Sequence, residues 1–186
     1  ITGKDEFFGT FCRVSRALGT TLSKQDLLDL IVTSAIETMN GKAACLFLAH
    51  EGKDVFMPAA QKGLSDNYLH AKPLKAKKLV TALMDGGHLH FRDATSDPRL
   101  EHHDLKKSEG IASILSVPVR VKNKTIGILS LYTAQVRDFE PDEIEFLSAL
   151  AEQGGMAVER ARLFERINRN ATLFLDLASS INATLD

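Results

Sequence analysis

The side chains most able to do chemistry in this sequence are two thiols, six imidazoles and a group of closely spaced lysines. Cys12 falls inside a helical apolar pattern and Cys45 inside an apolar strand pattern. Two such thiols make neither a CxxC pair nor a disulfide framework, and they read as buried, reduced cysteines of a cytosolic protein. His88 and His90 would share one strand face, while His102 and His103 adjoin in a turn-rich loop. No set of His, Cys and Asp has zinc-like spacing, and adjacent histidines do not easily hold one ion together, so neither metal nor haem is expected. Lys72, Lys75, Lys77 and Lys78 crowd the start of a helical pattern, where the helix dipole disfavours cations. A solvated basic patch is the plain reading. The sharper one is an anionic ligand or partner gripped by these lysines together with Arg92 and Arg99.

Positioning such groups falls to 186 residues with a net charge of −1. That length suits one domain with a core of useful size. The charge recruits neither nucleic acid nor an acidic surface, so no nucleic-acid partner is expected. No apolar run approaches the roughly 18–20 residues needed to span a bilayer, and no signal peptide is recognised. A cytoplasmic chain without direct membrane contact is expected, although a longer parent protein could be anchored elsewhere.

Residues from about 5 to 18 have helical apolar spacing (Phe7, Phe8, Phe11, Val14, Ala17, Leu18). In "LSKQDLLDLIVTSAIETMNGK", Ser23 is a cap, Leu27, Leu30, Ile31, Ser34 and Ala35 form a buried stripe, and Asn40-Gly41 is a stop. "AACLFLAH" and "DVFMPAAQ" read as a hairpin, "KPLKAKKLVTALMDGGH" as a helix and "LHF" as a short strand. The strongest strand pair is "ASILSVPVRVKN" with "KTIGILSLYT", turning at Asn123 and pairing Val121 with Ile126 and Val119 with Ile128. That register places Leu115, Val117, Val119, Ile126 and Ile128 on one face, and Ile114, Leu129 and Leu131 on the other. Apolar residues on both faces belong to a sheet covered on both sides. Pro118 cannot donate to a ladder, which predicts a sheet edge or irregular pairing nearby. A final helix from Pro141 to Ile181 would run roughly 60 Å, outrunning a domain about 30–40 Å across.

The end of that helix, "LFLDLASSINATLD", nearly repeats "FCRVSRALGTTLS" near the start. Phe174 falls on Phe11, Leu177 on Val14 and Ile181 on Leu18. Gly19 coincides with Asn182, both suited to closing a helix, and Ser23 with Asp186, both suited to opening the next. One device, helix then stop then new helix, is written twice.

In their order and spacing, "HFRDATSDPRL", "SILSVPVRVKNKTIGILSLYT" and "DFEPDEIEFLSALAEQGGMAVERARLFE" resemble the GAF domain, over about Leu22 to Glu165. The resemblance implies an α+β fold (an α/β sandwich) with a central antiparallel sheet of five or six strands. Terminal helices would cover one face, and a ligand pocket roofed by short helices and loops the other. GAF domains often stand in series, joined by long helices, so the repeated device implies a piece of a multidomain bacterial signalling protein of the sensor-kinase or cyclase type. Residues 1–22 would be a linker helix, 23–166 the GAF domain, and 167–186 a helical linker into a missing next domain.

The pocket is expected on a face shared by Leu115, Val117, Ser130 and Tyr132, which offers polar groups among apolar ones. By resemblance to the family, Phe91, Asp93, Leu100, Leu105 and Ser113 would complete its wall, although Asp93 also suits a turn. Asn123-Lys124, Phe139 and Asp142-Glu143 resemble the signature of cyclic-nucleotide-binding GAF domains. In that family the Asn-Lys pair closes the last strand, where this chain has Thr133-Ala134, and the Phe-to-Asp spacing is one residue short. A hairpin turn followed by acids at a helix N-terminus is the better reading, and no cyclic nucleotide is expected. No cysteine follows Cys45, which removes the thiol that a bilin linkage or a free-methionine-sulfoxide reductase would need near the pocket loops.

Along the last helix Leu147, Leu150, Gly154, Ala157, Ala161 and Phe164 follow 3–4 spacing and must lie on the domain's own sheet. Beyond Phe164 no sheet remains. Ile167, Ala171, Phe174, Leu177, Ala178 and Ile181 then need another partner, most simply the same helix of a second chain. The expected function is a non-enzymatic sensory module of two-component type. It would bind an unidentified small molecule and signal through its terminal helices, in a parallel homodimer, to an output domain of the same parent chain. The alternatives are a GAF-fold dimerisation spacer that binds nothing and a thiol-based reductase.

Overall fold

Ser23 has extended backbone, and its hydroxyl accepts the Asp26 N–H at 3.1 Å, which opens helix α2 (Lys24–Met39) at the residue expected to cap it. Asn40, at φ 55°, closes it in the left-handed conformation. The computed structural model describes residues 2–71, 74–75, 81–83 and 87–185. Before α2 stands α1 (Thr2–Leu18). After it come β1 (Ala43–Ala49), β2 (Val55–Lys62), α3 (Asp66–His70), β3 (Leu74–Lys75), β4 (Leu89–Phe91), α4 (His103–Glu109), β5 (Ser113–Val121), β6 (Lys124–Thr133) and α5 (Pro141–Leu185). Most of the helix expected over "KPLKAKKLVTALMDGGH", with Lys72, Lys77 and Lys78, lies outside the described residues.

The six strands form one antiparallel sheet in the order β3-β2-β1-β6-β5-β4. On one face lie α1, α2 and the first half of α5. Leu28, Ile31, Leu46, Leu115, Val117, Leu129, Leu131, Leu147 and Leu150 make this helix-side core and are wholly buried. The opposite face holds a second apolar cluster built from Cys45, Phe47, Phe56, Leu83, Phe91, Ile111, Ile114, Ile128 and Tyr132. On α2 the buried arc is wider than the expected stripe, taking in Leu28, Val32 and Met39, because the helix is covered by both the sheet and its helical neighbours.

The register of β5 with β6 departs from expectation. Lys122 (φ 48°) and Asn123 (φ 64°) both take left-handed backbone, the mark of a tight two-residue hairpin turn, so Val121 faces Lys124. A bulge then intervenes, with Arg120 opposite Thr125 but Val119 opposite Gly127, which leaves Ile126 as the extra residue. Beyond it Val117 pairs with Leu129 and Leu115 with Leu131, one residue off the expected alignment. A slip of one exchanges faces. Leu129 and Leu131 therefore join Leu115 and Val117 on the helix side, while Ile128 joins Ile114 on the other. Pro118 pairs with Ile128 beside this bulge, past the last residue of β5 that β4 covers, Ser116.

The terminal helices complete the helical layer. The helix α1, expected as a linker helix, packs into it: Phe7 stacks on Phe146 with ring centroids 4.7 Å apart, and Val14 is buried. At the other end α5 runs through Asn182 to Leu185, 45 residues in all, or about 67 Å at 1.5 Å per residue. Its first half carries Gly155 against β5, where an added Cβ would stand 2.1 Å from the Arg120 carbonyl oxygen. Its second half, from Arg162 onward, is exposed apart from the half-buried Ala178. Arg160, near the boundary, donates to the carbonyl oxygens of Leu18, Thr20 and Leu22, where α1 ends and the chain turns into α2. No described helix is long and apolar enough to cross a membrane.

Candidate functional site

On the sheet face away from the terminal helices, α3 and α4 close over a cavity of about 100 Å³ lined by Phe47, Tyr68, Leu69, Leu105, Lys106 and Tyr132, with Ala71 and His102 beside them. The floor comes from alternation, since Phe47 of β1 and Tyr132 of β6 both point away from the helices. The roof comes from capping. The Ser65 hydroxyl accepts the Tyr68 N–H, which starts α3, and the Ser65 amide and hydroxyl both donate to Glu109 at the end of α4. Tyr68 meets Tyr132 edge-on at 5.9 Å between centroids. Lys106 is almost fully buried, and its ammonium donates to the Glu101 carbonyl. Burial pushes its pKa down, opposed by the charge of Glu101.

The phenols and the thiol around the cavity are shifted the other way. Burial pushes the Tyr68 hydroxyl up to about 12, with the charge of Glu109 adding to the effect. It pushes Tyr132 and Cys45 well up too. A folded pKa above the unfolded one gives stability that is whole below the unfolded value and is lost as pH rises toward the folded one. Folding stability should therefore fall between about pH 9 and 12, at up to about 1.4 kcal/mol per pH unit for each such group. Tyr132→Phe keeps the ring and removes one of them. Denaturant unfolding across that range should show a shallower alkaline decline in the variant, and parallel curves would contradict the assignment.

The structure separates the residues expected to share the pocket wall. Leu105 and Tyr132 line the cavity. Phe91 and Leu100 belong to the apolar cluster around it, and Ser130 lies on the same face, its hydroxyl 2.7 Å from that of Ser116. Leu115 and Val117 are helix-side core, and the bulge in β6 turns Ser130 and Tyr132 to the opposite face, so the face expected to unite the four does not exist. Ser113 is turned to the backbone instead, donating to the Arg92 carbonyl at 2.6 Å and accepting the Arg137 N–H at 2.9 Å. Asp93 makes a turn, accepting from the Thr95 amide and hydroxyl, which hold its carboxyl below the usual range. Phe47, Tyr68, Leu69 and Lys106 are cavity residues that sequence reasoning missed.

Other chemistry-bearing groups are engaged structurally. Arg92 pairs with Asp138, and Arg99 pairs with Asp97 at 2.6 Å while lying over the Phe91 ring, so both arginines already hold carboxylates of this chain, which weighs against the anionic-partner alternative. Glu143 accepts from the Glu140 N–H and from Arg137, capping α5, and Asp142 pairs with Lys4. Asn123-Lys124 belongs to the hairpin. His90 packs edge-on against Phe139, and His103 bonds the Asp97 carbonyl. Cys12 is half-buried rather than buried. Among the described residues, no group of three or more His, Cys, Asp and Glu could hold a metal ion.

Helices on one face of an antiparallel sheet and a roofed cavity on the other define an α/β sandwich module. The chain belongs to the GAF domain family, whose model matches residues 21–159. A search of curated proteins gives no match. Among solved structures, the GAF domain of a phosphoenolpyruvate-protein phosphotransferase (ptsP) from Coxiella burnetii is 18% identical, covering 88% of this chain and 98% of its own, with a TM-score of 0.75. A domain of a putative two-component sensor histidine kinase from Sinorhizobium meliloti is 19% identical over 80% and 99%, with a TM-score of 0.66. The phycocyanobilin-bound GAF domain of a cyanobacterial phytochrome is 13% identical over 84% and 96%, with a TM-score of 0.68. At these identities the likeness is one of fold.

Proposed function

We propose that this GAF domain is a regulatory sensor that takes a small molecule between the sheet and the α3–α4 roof. It passes the signal through α1 and α5 to an output domain of a two-component-type parent protein. The observation that carries this reading is the cavity itself: an aromatic and aliphatic lining with one buried ammonium, Lys106, and two phenols. Such a lining favours an aromatic or aliphatic ligand bearing an anionic or hydrogen-bond-accepting group. A cavity of about 100 Å³ has room for only a few water-sized units, each about 30 Å³. A larger ligand would lift α3 and α4, and that movement is the signal's first step. A regulatory rather than catalytic role is favoured by Cys45, whose buried, hard-to-ionise thiol is a poor nucleophile.

The signal needs a fixed geometry to act on. The bare second half of α5 supplies one by pairing with the same helix of a second chain in parallel. Native mass spectrometry of the purified chain, with thermal shift against a library of small aromatic acids, tests the receptor reading. A co-purifying or stabilising ligand is expected, and it should be lost in Leu105→Trp, which fills the cavity from its half-buried edge while the fold persists by circular dichroism. An empty protein with no stabilising compound would favour the spacer reading, and a ligand still bound by Leu105→Trp would place its site outside the α3–α4 cavity.

A further inference from the structure

A second hollow, a groove of about 450 Å³, opens where the β5–β6 turn meets α5. Lys122 and Lys124 enter it from the hairpin and Arg162 and Arg166 from α5, against a single carboxylate, Glu159. Lys122 pairs with Glu159 at 3.4 Å. Lys124, Arg162 and Arg166 make no ion pair among the described residues. Val121, Ile126 and Leu163 give the groove an apolar lining.

This excess of positive charge is local, because the chain as a whole carries −1. Arg162 and Arg166 are one helical turn apart on the same side of α5, and paired guanidinium forks suit phosphate oxygens better than point charges do. The volume lies within the range of small-ligand sites, roughly 300–1,000 Å³. A compact groove of this kind does not track an extended polyanion. We propose that it binds a small molecule carrying two or more phosphate groups, held between the hairpin and α5. The site is separate from the α3–α4 cavity and lies on the other side of the sheet, beside Leu163, where α5 leaves the domain. At 100° per residue, Arg162 stands about 150° and Arg166 about 110° around α5 from the mean direction of the Phe164–Ile181 stripe. Pairing of that stripe leaves the groove open, and an occupant would brace the hairpin against the departing helix.

Pyrophosphate and tripolyphosphate ions, titrated into the whole chain at physiological ionic strength, are the probes. Calorimetry should show one saturable site that prefers tripolyphosphate, with sulfate ineffective. Amide shifts in nuclear magnetic resonance should centre on Val121, Lys124, Ile126 and Leu163. The double variant Lys124→Ala/Arg166→Ala, which removes only exposed groups, should bind tripolyphosphate roughly tenfold more weakly with its circular dichroism unchanged. The charge-matched control Lys53→Ala/Lys62→Ala should bind as the parent does. Equal weakening in both variants, shifts scattered over all surface lysines, or an unweakened Lys124→Ala/Arg166→Ala would mean an adventitious ion only and overturn the proposal. So would binding to phosphatidylglycerol vesicles without saturable binding of tripolyphosphate.

Discussion

Gly155→Ala should lower the melting temperature by several degrees, although alanine is the better helix former by about 1 kcal/mol. The new methyl would stand 2.1 Å from the Arg120 carbonyl oxygen and 3.1 Å from its carbon, both part of the β5 backbone. No rotamer change relieves a clash with main chain, so α5 or β5 must shift. Overpacking typically costs about 1–3 kcal/mol, and for a chain of this size 1 kcal/mol corresponds to about 2–4 °C. Gly154→Ala is the control. Its Cβ would meet the flexible end of Leu46 at 3.1 Å, with Ile31 and Leu28 farther away, and the helix-propensity gain is the same. Calorimetric melting should therefore place Gly155→Ala well below Gly154→Ala. If Gly155→Ala melts at or above the unmodified protein, the close seating of α5 on β5 is wrong.

The second large effect concerns oligomeric state. Phe164, Ile167, Phe174, Leu177 and Ile181 are each about three-fifths or more exposed, with Phe174 at 72%. Burying a large apolar side chain is worth roughly 1.5–3 kcal/mol, so these residues carry a strong drive toward a partner. From Phe164 their spacing alternates three and four residues through Ile167, Ala171, Phe174, Ala178 and Ile181, the seam of a left-handed coiled coil. The unmodified chain should be a dimer in light scattering at tens of micromolar, and Phe174→Asp/Leu177→Asp should be a monomer with its sheet signal intact. A monomeric parent protein would sink self-pairing and leave the stripe for a different partner. A dimeric variant would move the contact to α1 or to the domain-proximal part of α5.

How far the sequence disclosed the molecule depends on the range of the forces involved. The Ser23 cap, the Asn40 stop and the outrunning last helix are local properties, and each could be read from a few neighbouring residues. The order of elements that carried the family resemblance was legible as well, and the match over residues 21–159 agrees with it. The choice of sheet face was not. It rested on the register beyond the hairpin, and Ile126 looks like any other strand valine or isoleucine until β6 bulges around it. That one extra residue turned Leu129 and Leu131 to the helix side beside Leu115 and Val117, and Ser130 and Tyr132 to the cavity side. Lys106 had no signal at all, because a lysine in a short polar helix gives no warning that folding will bury it. The repeat near both ends gained meaning from burial. Val14 is covered by the helical layer while its counterpart Leu177 is bare.

Arg160 has a mechanical consequence. Its guanidinium holds the carbonyls of Leu18, Thr20 and Leu22, so the end of one terminal helix is bolted to the midpoint of the other. A twist delivered along α1 reaches α5 through this joint without crossing the sheet or the cavity. In the sensor proposed above, the two terminal helices would form a shaft with the α3–α4 cavity mounted on its flank. A ligand that lifts α3 and α4 would then act on a shaft already joined at Arg160, changing how stiffly the sheet is mounted on it.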